Sequence, residues 1–186
     1  MRYLLGFFAV IGLVILVIVL ILRGLSGGGD APKDLKSLTE YTHTDVVMQY
    51  TTTGPIVSDQ ERYALRITVG RSENKIEALN GYNEIVFATQ TYPSNAEAYG
   101  TFLRALDLLG YNRGSDSDNL KDERGYCADG NLNLFEIKSD DSRNSVQRFW
   151  LTTCGEGNFR GDAGKINNLF IAQIPDYSAF ANNVAL

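Results

Sequence analysis

The sequence has very little histidine and cysteine, the side chains that zinc sites and imidazole- or thiol-based catalysis use. It contains one histidine, His43, and two cysteines, Cys127 and Cys154. A histidine-rich zinc site is therefore excluded, and the spacing of the two cysteines matches no structural zinc site. Lysine and arginine are scattered without a cluster, so the electrostatic footprint of a nucleic-acid-binding protein is also missing. We therefore expect no nucleic acid as a partner.

Two further patterns lack a residue that a cofactor or metal site needs. The glycine-rich loop at 155–164 has Arg160 where a dinucleotide fingerprint needs its third glycine, and Phe159 where a phosphate-binding loop needs glycine. The acidic run at 116–123 has Lys121 at the sixth position, where a calcium-binding loop needs glycine. The sequence therefore predicts neither a cofactor nor a metal, and it contains no evident catalytic constellation.

One long hydrophobic run is present, at residues 3–22, and it carries no charge. A helix of this length spans about 30 Å, the thickness of the hydrocarbon core of a bilayer. The alternative is a cleaved signal peptide, but its apolar region covers only about 7–15 residues and ends at a small-residue cleavage site. Arg23-Gly24-Leu25 follows the run instead. We expect an uncleaved signal anchor at residues 1–23, with the lipid bilayer as its partner through residues 3–22.

The part of the chain beyond the anchor divides into a tether and one domain. Residues 24–42 include three consecutive glycines and have no apolar periodicity, which is typical of a flexible tether. Residues 43–186 are numerous enough for one hydrophobic core of normal size. All 22 acidic residues lie beyond the anchor, so this domain is acidic.

The two cysteines indicate on which side of the membrane the domain lies. Lys and Arg near the two ends of the anchor show no clear positive-inside bias. An even pair of cysteines behind a signal anchor favours a disulfide bond in an oxidising compartment. The alternative is two buried free thiols that face the cytoplasm. We favour a disulfide bond between Cys127 and Cys154, and hence an extracytoplasmic domain on a single-pass cell-membrane protein.

Seven stretches of the domain have strand patterns, rich in β-branched and aromatic residues with period-two alternation. They are residues 45–53, 63–69, 76–79, 82–91, 124–128, 131–138 and 146–153. Asn80-Gly81 and Asp129-Gly130 each separate two of these stretches, and both dipeptides are strong signals for a two-residue hairpin turn.

Helix signals lie between and after these strands. Ser94 to Glu97 fits a capping box, and Gly110 stands where a C-terminal capping glycine belongs. Between them, the apolar residues at 99, 102, 103 and 106 fall on one helix face. A second helix is predicted at 166–174 and a short third one at 177–184. The fold class predicted is α+β: an antiparallel sheet of about seven strands with one long and one or two short helices.

This strand order creates a difficulty for the disulfide bond. In a meander of the last three strands, Cys127 and Cys154 lie two strands apart, about 9–10 Å. Two cysteines at that separation cannot form a disulfide bond. The bond therefore requires that the chain curl back at Cys154-Gly155, or that the strand order differ.

One short segment resembles a known family. Leu151-Thr152-Thr153-Cys154 at a predicted strand end, with Arg160 shortly after, resembles the T-L-x-T-C strand of sortases. Those proteins are membrane-anchored cysteine transpeptidases on a β-barrel. The resemblance implies Cys154 as the nucleophile, Arg160 as the group that stabilises the oxyanion or substrate, and His43 as the acid/base.

The function expected from the sequence is a membrane-anchored, extracytoplasmic binding or scaffolding module with a protein or other envelope partner. The alternative is a sortase-like envelope cysteine transpeptidase or peptidase. The glycine-rich loop ahead of the second helix is the candidate binding loop, since loop amides before a helix can bind anions. Its candidate residues are Gly155, Gly157, Arg160, Gly161 and Asp162.

Overall fold

A computed structural model describes residues 37–115, 122–139 and 145–183. All of them belong to the second of two compact units, Met1–Leu35 and Lys36–Leu186. The predicted anchor at 1–23 lies outside the described residues, as do residues 24–36 of the predicted tether. Within the described ranges, no helix is both long enough and apolar enough to cross a membrane.

Six strands form one antiparallel sheet in the described part of the chain. They are β1 (Val46–Thr53), β2 (Tyr63–Val69), β3 (Glu73–Asn80), β4 (Ile85–Pro93), β5 (Leu132–Ser139) and β6 (Ser145–Thr152). Their order is β4-β3-β2-β1-β5-β6, so β2 and β1 are central and β4 and β6 are the two edges. The predicted α+β class with an antiparallel sheet is confirmed, with six strands instead of about seven.

Among the described residues, three α-helices accompany the sheet: α1 (Ala96–Leu109), α2 (Ala163–Ile171) and α3 (Tyr177–Ala181). The predicted long helix is confirmed, and Gly110 ends it with a φ of 75°, as a left-handed capping residue does. Its N-cap is Asn95 and not Ser94. The Asn95 side chain accepts hydrogen bonds from the backbone N–H groups of Glu97 and Ala98, at 3.1 and 2.9 Å.

The hydrophobic core lies between α1, α2 and one face of the sheet. Met48, Ile67 and Ile137 of three neighbouring strands are buried there. The ring of Phe170 from α2 lies at its centre, 5.1 Å from the Phe102 ring and 5.6 Å from the Tyr50 ring. The alternate residues of the strands face away from the helices, which explains the period-two pattern of the sequence.

A 3-10 helix, Leu38–His43, precedes the first strand of this domain. Leu38 has no exposed surface, and the Ser37 hydroxyl donates a hydrogen bond to Asp107 of α1 at 2.7 Å. Residues 37–42, which have tether-like composition, are therefore part of the folded unit. Burial of Leu38 and the hydrogen bond from Ser37 to Asp107 both stabilise this segment against the domain.

The predicted strand at 124–128 is wrong. These residues form turns, and Cys127 has a left-handed φ of 52° that no strand residue adopts. The backbone N–H of Gly130 donates to the carbonyl of Cys127 at 3.0 Å, so Asp129-Gly130 lies in a local turn and not between two paired strands. Tyr126 gives this segment its strand-like apolarity, and its ring packs on that of Trp150 at 5.1 Å.

The hairpin predicted at Asn80-Gly81 is confirmed, but its turn is longer than two residues. Asn80 pairs with Ile85, which leaves a four-residue loop at 81–84. Positive φ values occur at Gly81 (73°) and Glu84 (52°), at the two ends of that loop. The loop is held by Asp59, whose carboxylate accepts the backbone N–H of Tyr82 at 2.7 Å.

Candidate functional site

The two cysteines form the predicted disulfide bond. Their Cα atoms are 5.8 Å apart, which fits the geometry of such a bond. The two cysteines do not lie two strands apart as expected, because Cys127 lies in a turn before β5 and Cys154 lies in a turn after β6. These turns are neighbours, since Leu132 at the start of β5 pairs with Thr152 at the end of β6. The chain turns back after Thr152, as the disulfide bond requires.

The candidate binding loop after Cys154 folds back along β6. The backbone N–H of Thr152 donates to the carbonyl of Glu156 at 2.8 Å. The Asn158 side chain accepts the backbone N–H of Trp150 at 2.8 Å, and the Asn158 backbone N–H returns a bond to the Trp150 carbonyl at 3.1 Å. Leu151 and Gly157 form an isolated β-bridge. The loop therefore covers the last three residues of β6.

Gly157 is required where the loop meets β6. Its φ of 150° lies in the region that favours glycine, and the Trp150 carbonyl oxygen lies where a Cβ atom would stand. Gly155, with a φ of 94°, makes the preceding turn. Gly161 lies against the Gly110 carbonyl at the end of α1, so a side chain has no room there either. The glycines thus allow the backbone to approach closely.

The two charged residues of the candidate loop also bind the chain itself. Arg160 donates from Nη1 to the carbonyls of Gly157 and Phe159, at 2.8 and 2.9 Å. Asp162 caps α2 by accepting the Lys165 backbone N–H at 3.1 Å, and it forms an ion pair with Lys165 Nζ at 2.8 Å. The side-chain hydrogen bond from Lys165 lowers the pKa of Asp162. These groups hold the loop, and a ligand for it stays a prediction.

The structure does not bring together the three residues that the sortase resemblance would use. Cys154 is oxidised, so it carries no nucleophilic thiolate. His43 is exposed and immediately precedes β1, whose far end, Thr53, pairs with Leu132 beside Thr152. His43 and Cys154 are thus at opposite ends of eight-residue strands, roughly 20–25 Å apart at about 3.3 Å per residue.

The other edge of the sheet, β4, is built very differently from β6. No residue from 85 to 93 is charged, and no described strand pairs with the outer side of β4. Three consecutive apolar side chains are exposed at its start, Ile85 by 63%, Val86 by 46% and Phe87 by 51%. We call residues 85–93 with these three side chains the β4 edge. Adjacent apolar residues that are this exposed are typical of interaction surfaces.

A β-bulge in β4 determines the orientation of one of these side chains, that of Phe87. Ala78 pairs with Ala88 and Leu79 with Val86, so Phe87 is the extra residue of β4. Its ring contacts that of Tyr63 edge-on at 5.9 Å. Half of Phe87 is therefore supported by the domain while the other half is in solvent, which makes its position well defined without burying it.

The loop beside the β4 edge is also held firmly. Tyr82, which is 48% exposed, donates from its hydroxyl to the Val57 carbonyl at 2.9 Å. The Arg62 guanidinium lies 4.3 Å from the centre of the Tyr82 ring, a cation–π contact. Glu84, directly before β4, is paired with Arg66. This salt bridge offsets the charge nearest to the three apolar side chains.

The sequence predicts β4 as a strand but not as an exposed one. Ile85 to Ala88 are four consecutive apolar residues, a run that is typical of a buried strand. Exposure depends on strand order, which local periodicity does not contain. The signal that was available is the absence of charge and internal proline over the run, which marks strands that pair readily.

No protein-family model, no curated protein and no solved structure matches the chain.

Proposed function

We propose that the chain is a membrane-anchored, extracytoplasmic protein-binding module of the cell envelope, which docks its partner along the β4 edge. The observation that carries the proposal is the contrast between the two edges of one sheet. β4 exposes its backbone and three adjacent apolar side chains, whereas the chain's own loop covers the end of β6. The disulfide bond supports the extracytoplasmic location, because such bonds persist in oxidising compartments.

Natural proteins protect the edge strands of their sheets with charge, bulges or covering segments. β6 has all three: the loop at 156–159, the charge of Arg148, and a bulge at Val146. β4 has a bulge and ends in Pro93, but it has neither charge nor cover in the described chain. An edge left in this state fits β-strand addition, in which a partner's extended segment continues the sheet.

The binding proposal is preferred to the cysteine-peptidase alternative for a chemical reason. Cys154 is bonded to Cys127, and an acid/base that is tens of ångströms from the sulfur cannot take its proton. The β4 edge can bind a partner without any bond being broken or any residue being moved, since its groups are already at the surface.

Site-specific photo-crosslinking in native membranes tests the proposal. A photoreactive phenylalanine analogue replaces Phe87 in the full chain, and the matched control places it at Val146 on β6, which is 56% exposed. We expect light-dependent adducts from position 87 and none from position 146. The absence of adducts at 87, or equal adducts at both positions, would contradict docking at the β4 edge.

A further inference from the structure

We infer that the occupant of the β4 edge is the same strand of a second copy of this chain, so that two six-stranded sheets join across a twofold axis. The inference rests on the proposed function, because it names the partner of the same surface. It is carried by three features of the described residues: the chemistry of β4, the state of the opposite edge, and the position of the exposed apolar side chains.

The chemistry of β4 allows it to pair with itself. Antiparallel pairing about a twofold axis places each strand residue opposite a residue of its own sequence, and like charges directly opposite each other are destabilising. Residues 85–93 carry no charge. A full-length overlap centres the axis on Thr89, which then lies opposite Thr89 of the other copy, and Thr–Thr pairs across strands are favourable. The other edge strand, β6, carries Arg148 and has no such neutrality.

The state of the opposite edge, β6, favours an assembly that closes at two copies. If both edges were open, head-to-tail addition of β6 to β4 would extend into a filament. Backbone bonds from Thr152 to Glu156, and from Asn158 and Phe159 to Trp150, already occupy the end of β6. The end of β6 is therefore blocked for head-to-tail addition along its full length, whereas addition of β4 to β4 is an isologous contact, which closes on itself.

The apolar side chains give this contact its stabilisation. In the full-length overlap, Ile85, Val86 and Phe87 of each copy lie across from residues 91–93 of the other. The three side chains are about half exposed in the single chain, and apolar area removed from water stabilises the pair. Tyr92 and Pro93 present the apolar surface that they would cover, at the opposite end of the strand.

The test uses the purified full chain in lipid nanodiscs, where no other protein is present. Chains with the photoreactive analogue at position 87 are mixed as light and nitrogen-15-labelled populations and irradiated. Mass spectrometry then identifies the cross-linked peptides. We expect pairs of mixed isotope composition that join β4 of one chain to β4 of another, and no such product from position 146.

The second part of the test places a charge on the β4 edge. Val86→Lys brings a lysine into the contact from each copy, and we expect loss of the dimer-mass product. Val146→Lys is the matched control and leaves it unchanged. A thermal unfolding midpoint measured for both variants verifies that each is folded. Persistence of the product in Val86→Lys would overturn the inference.

The remaining outcomes separate this inference from the proposed function. Adducts in native membranes but none in the purified chain would overturn the second copy and leave a different protein as the partner. Cross-links between chains that arise equally from positions 87 and 146, or that join β4 to another segment, would also overturn it. The absence of adducts in both settings would overturn the inference and the proposed function together.

Discussion

At the scale of single residues, one buried hydroxyl joins the helix layer to two neighbouring strands of the sheet, β1 and β5. Tyr111 follows α1 and has no exposed surface. Its hydroxyl donates toward the Gln49 carbonyl of β1 at 2.6 Å and the Glu136 carbonyl of β5 at 2.8 Å. Burial raises the pKa of Tyr111 well above its usual value, because the phenolate would lose its hydration there.

The raised pKa of Tyr111 predicts that the domain loses stability in alkali. In the unfolded chain the group titrates near its ordinary pKa of about 10, whereas in the folded domain it stays neutral. The unfolded state therefore releases the proton first, so this contribution is fully present below about pH 10 and is lost as the pH rises above it. The free energy of unfolding, measured in urea at a series of pH values, tests this dependence.

The variant Tyr111→Phe tests whether Tyr111 causes this loss of stability in alkali. At neutral pH it removes the shared donor, and we expect a loss of about 1–2 kcal/mol. Above pH 10 its stability should fall less steeply than that of the parent chain. Burial also raises the pKa of Tyr50 and Tyr99, so part of the alkaline loss remains. An identical slope in both proteins would show that Tyr111 does not contribute.

At the scale of elements, the disulfide bond fixes two turns at one end of the sheet. It joins the turn before β5 to the turn after β6, which lie 27 residues apart in the sequence. The first turn brings Tyr126 onto Trp150, and the second begins the loop that covers β6. We therefore expect loss of the bond to weaken both the packing of Tyr126 on Trp150 and the loop that covers the end of β6.

Removal of the bond predicts a large loss of stability. The variant with Cys127→Ser and Cys154→Ser should lose about 3–4 kcal/mol, because the unfolded chain regains the entropy of a loop of this length. Reductant should lower the urea midpoint of the parent chain to that of the variant and leave the variant unchanged. Equal midpoints for the parent and the variant without reductant would contradict a bonded pair.

The sequence predicts elements well where local chemistry is sufficient. The strand at 63–69 is found with the predicted bounds, and α1 ends at Gly110 because only a left-handed residue fits there. The prediction from the sequence fails at 124–128, where Tyr126 has the apolarity of a strand residue but packs on Trp150 as a cover. That role depends on a contact 24 positions away in the sequence, which local periodicity does not record.

The candidate site illustrates the same limit. The glycines at 155 and 157 are recognisable in the sequence, but Gly155 makes a turn and Gly157 allows the loop to approach the backbone of the edge strand β6. The exposed residues 85–87 look like buried core. Which strand is an edge depends on the whole sheet order, β4-β3-β2-β1-β5-β6. The sequence therefore indicates the loop as the candidate site, while the structure directs attention to the strand at the opposite edge.

At the scale of the whole molecule, the two edges of the sheet differ, and the proposed binding function depends on this difference. Both helices of the core, α1 and α2, lie on one face of the sheet, and the chain's own loop covers the last three residues of the β6 edge. The β4 edge is left as an uncharged strand that presents its backbone. An edge of this kind gains both hydrogen bonds and apolar burial when a strand is added to it.

Hydrogen exchange along the two edge strands is the most direct measurement of this account. In the full chain in lipid nanodiscs, amides of residues 85–93 that point away from β3 should exchange slowly at high protein concentration and faster on dilution. The amides at 145–149 of β6 should not change with concentration. Exchange at 85–93 that is fast, as on an open edge, at every concentration would contradict pairing of β4 with a second copy.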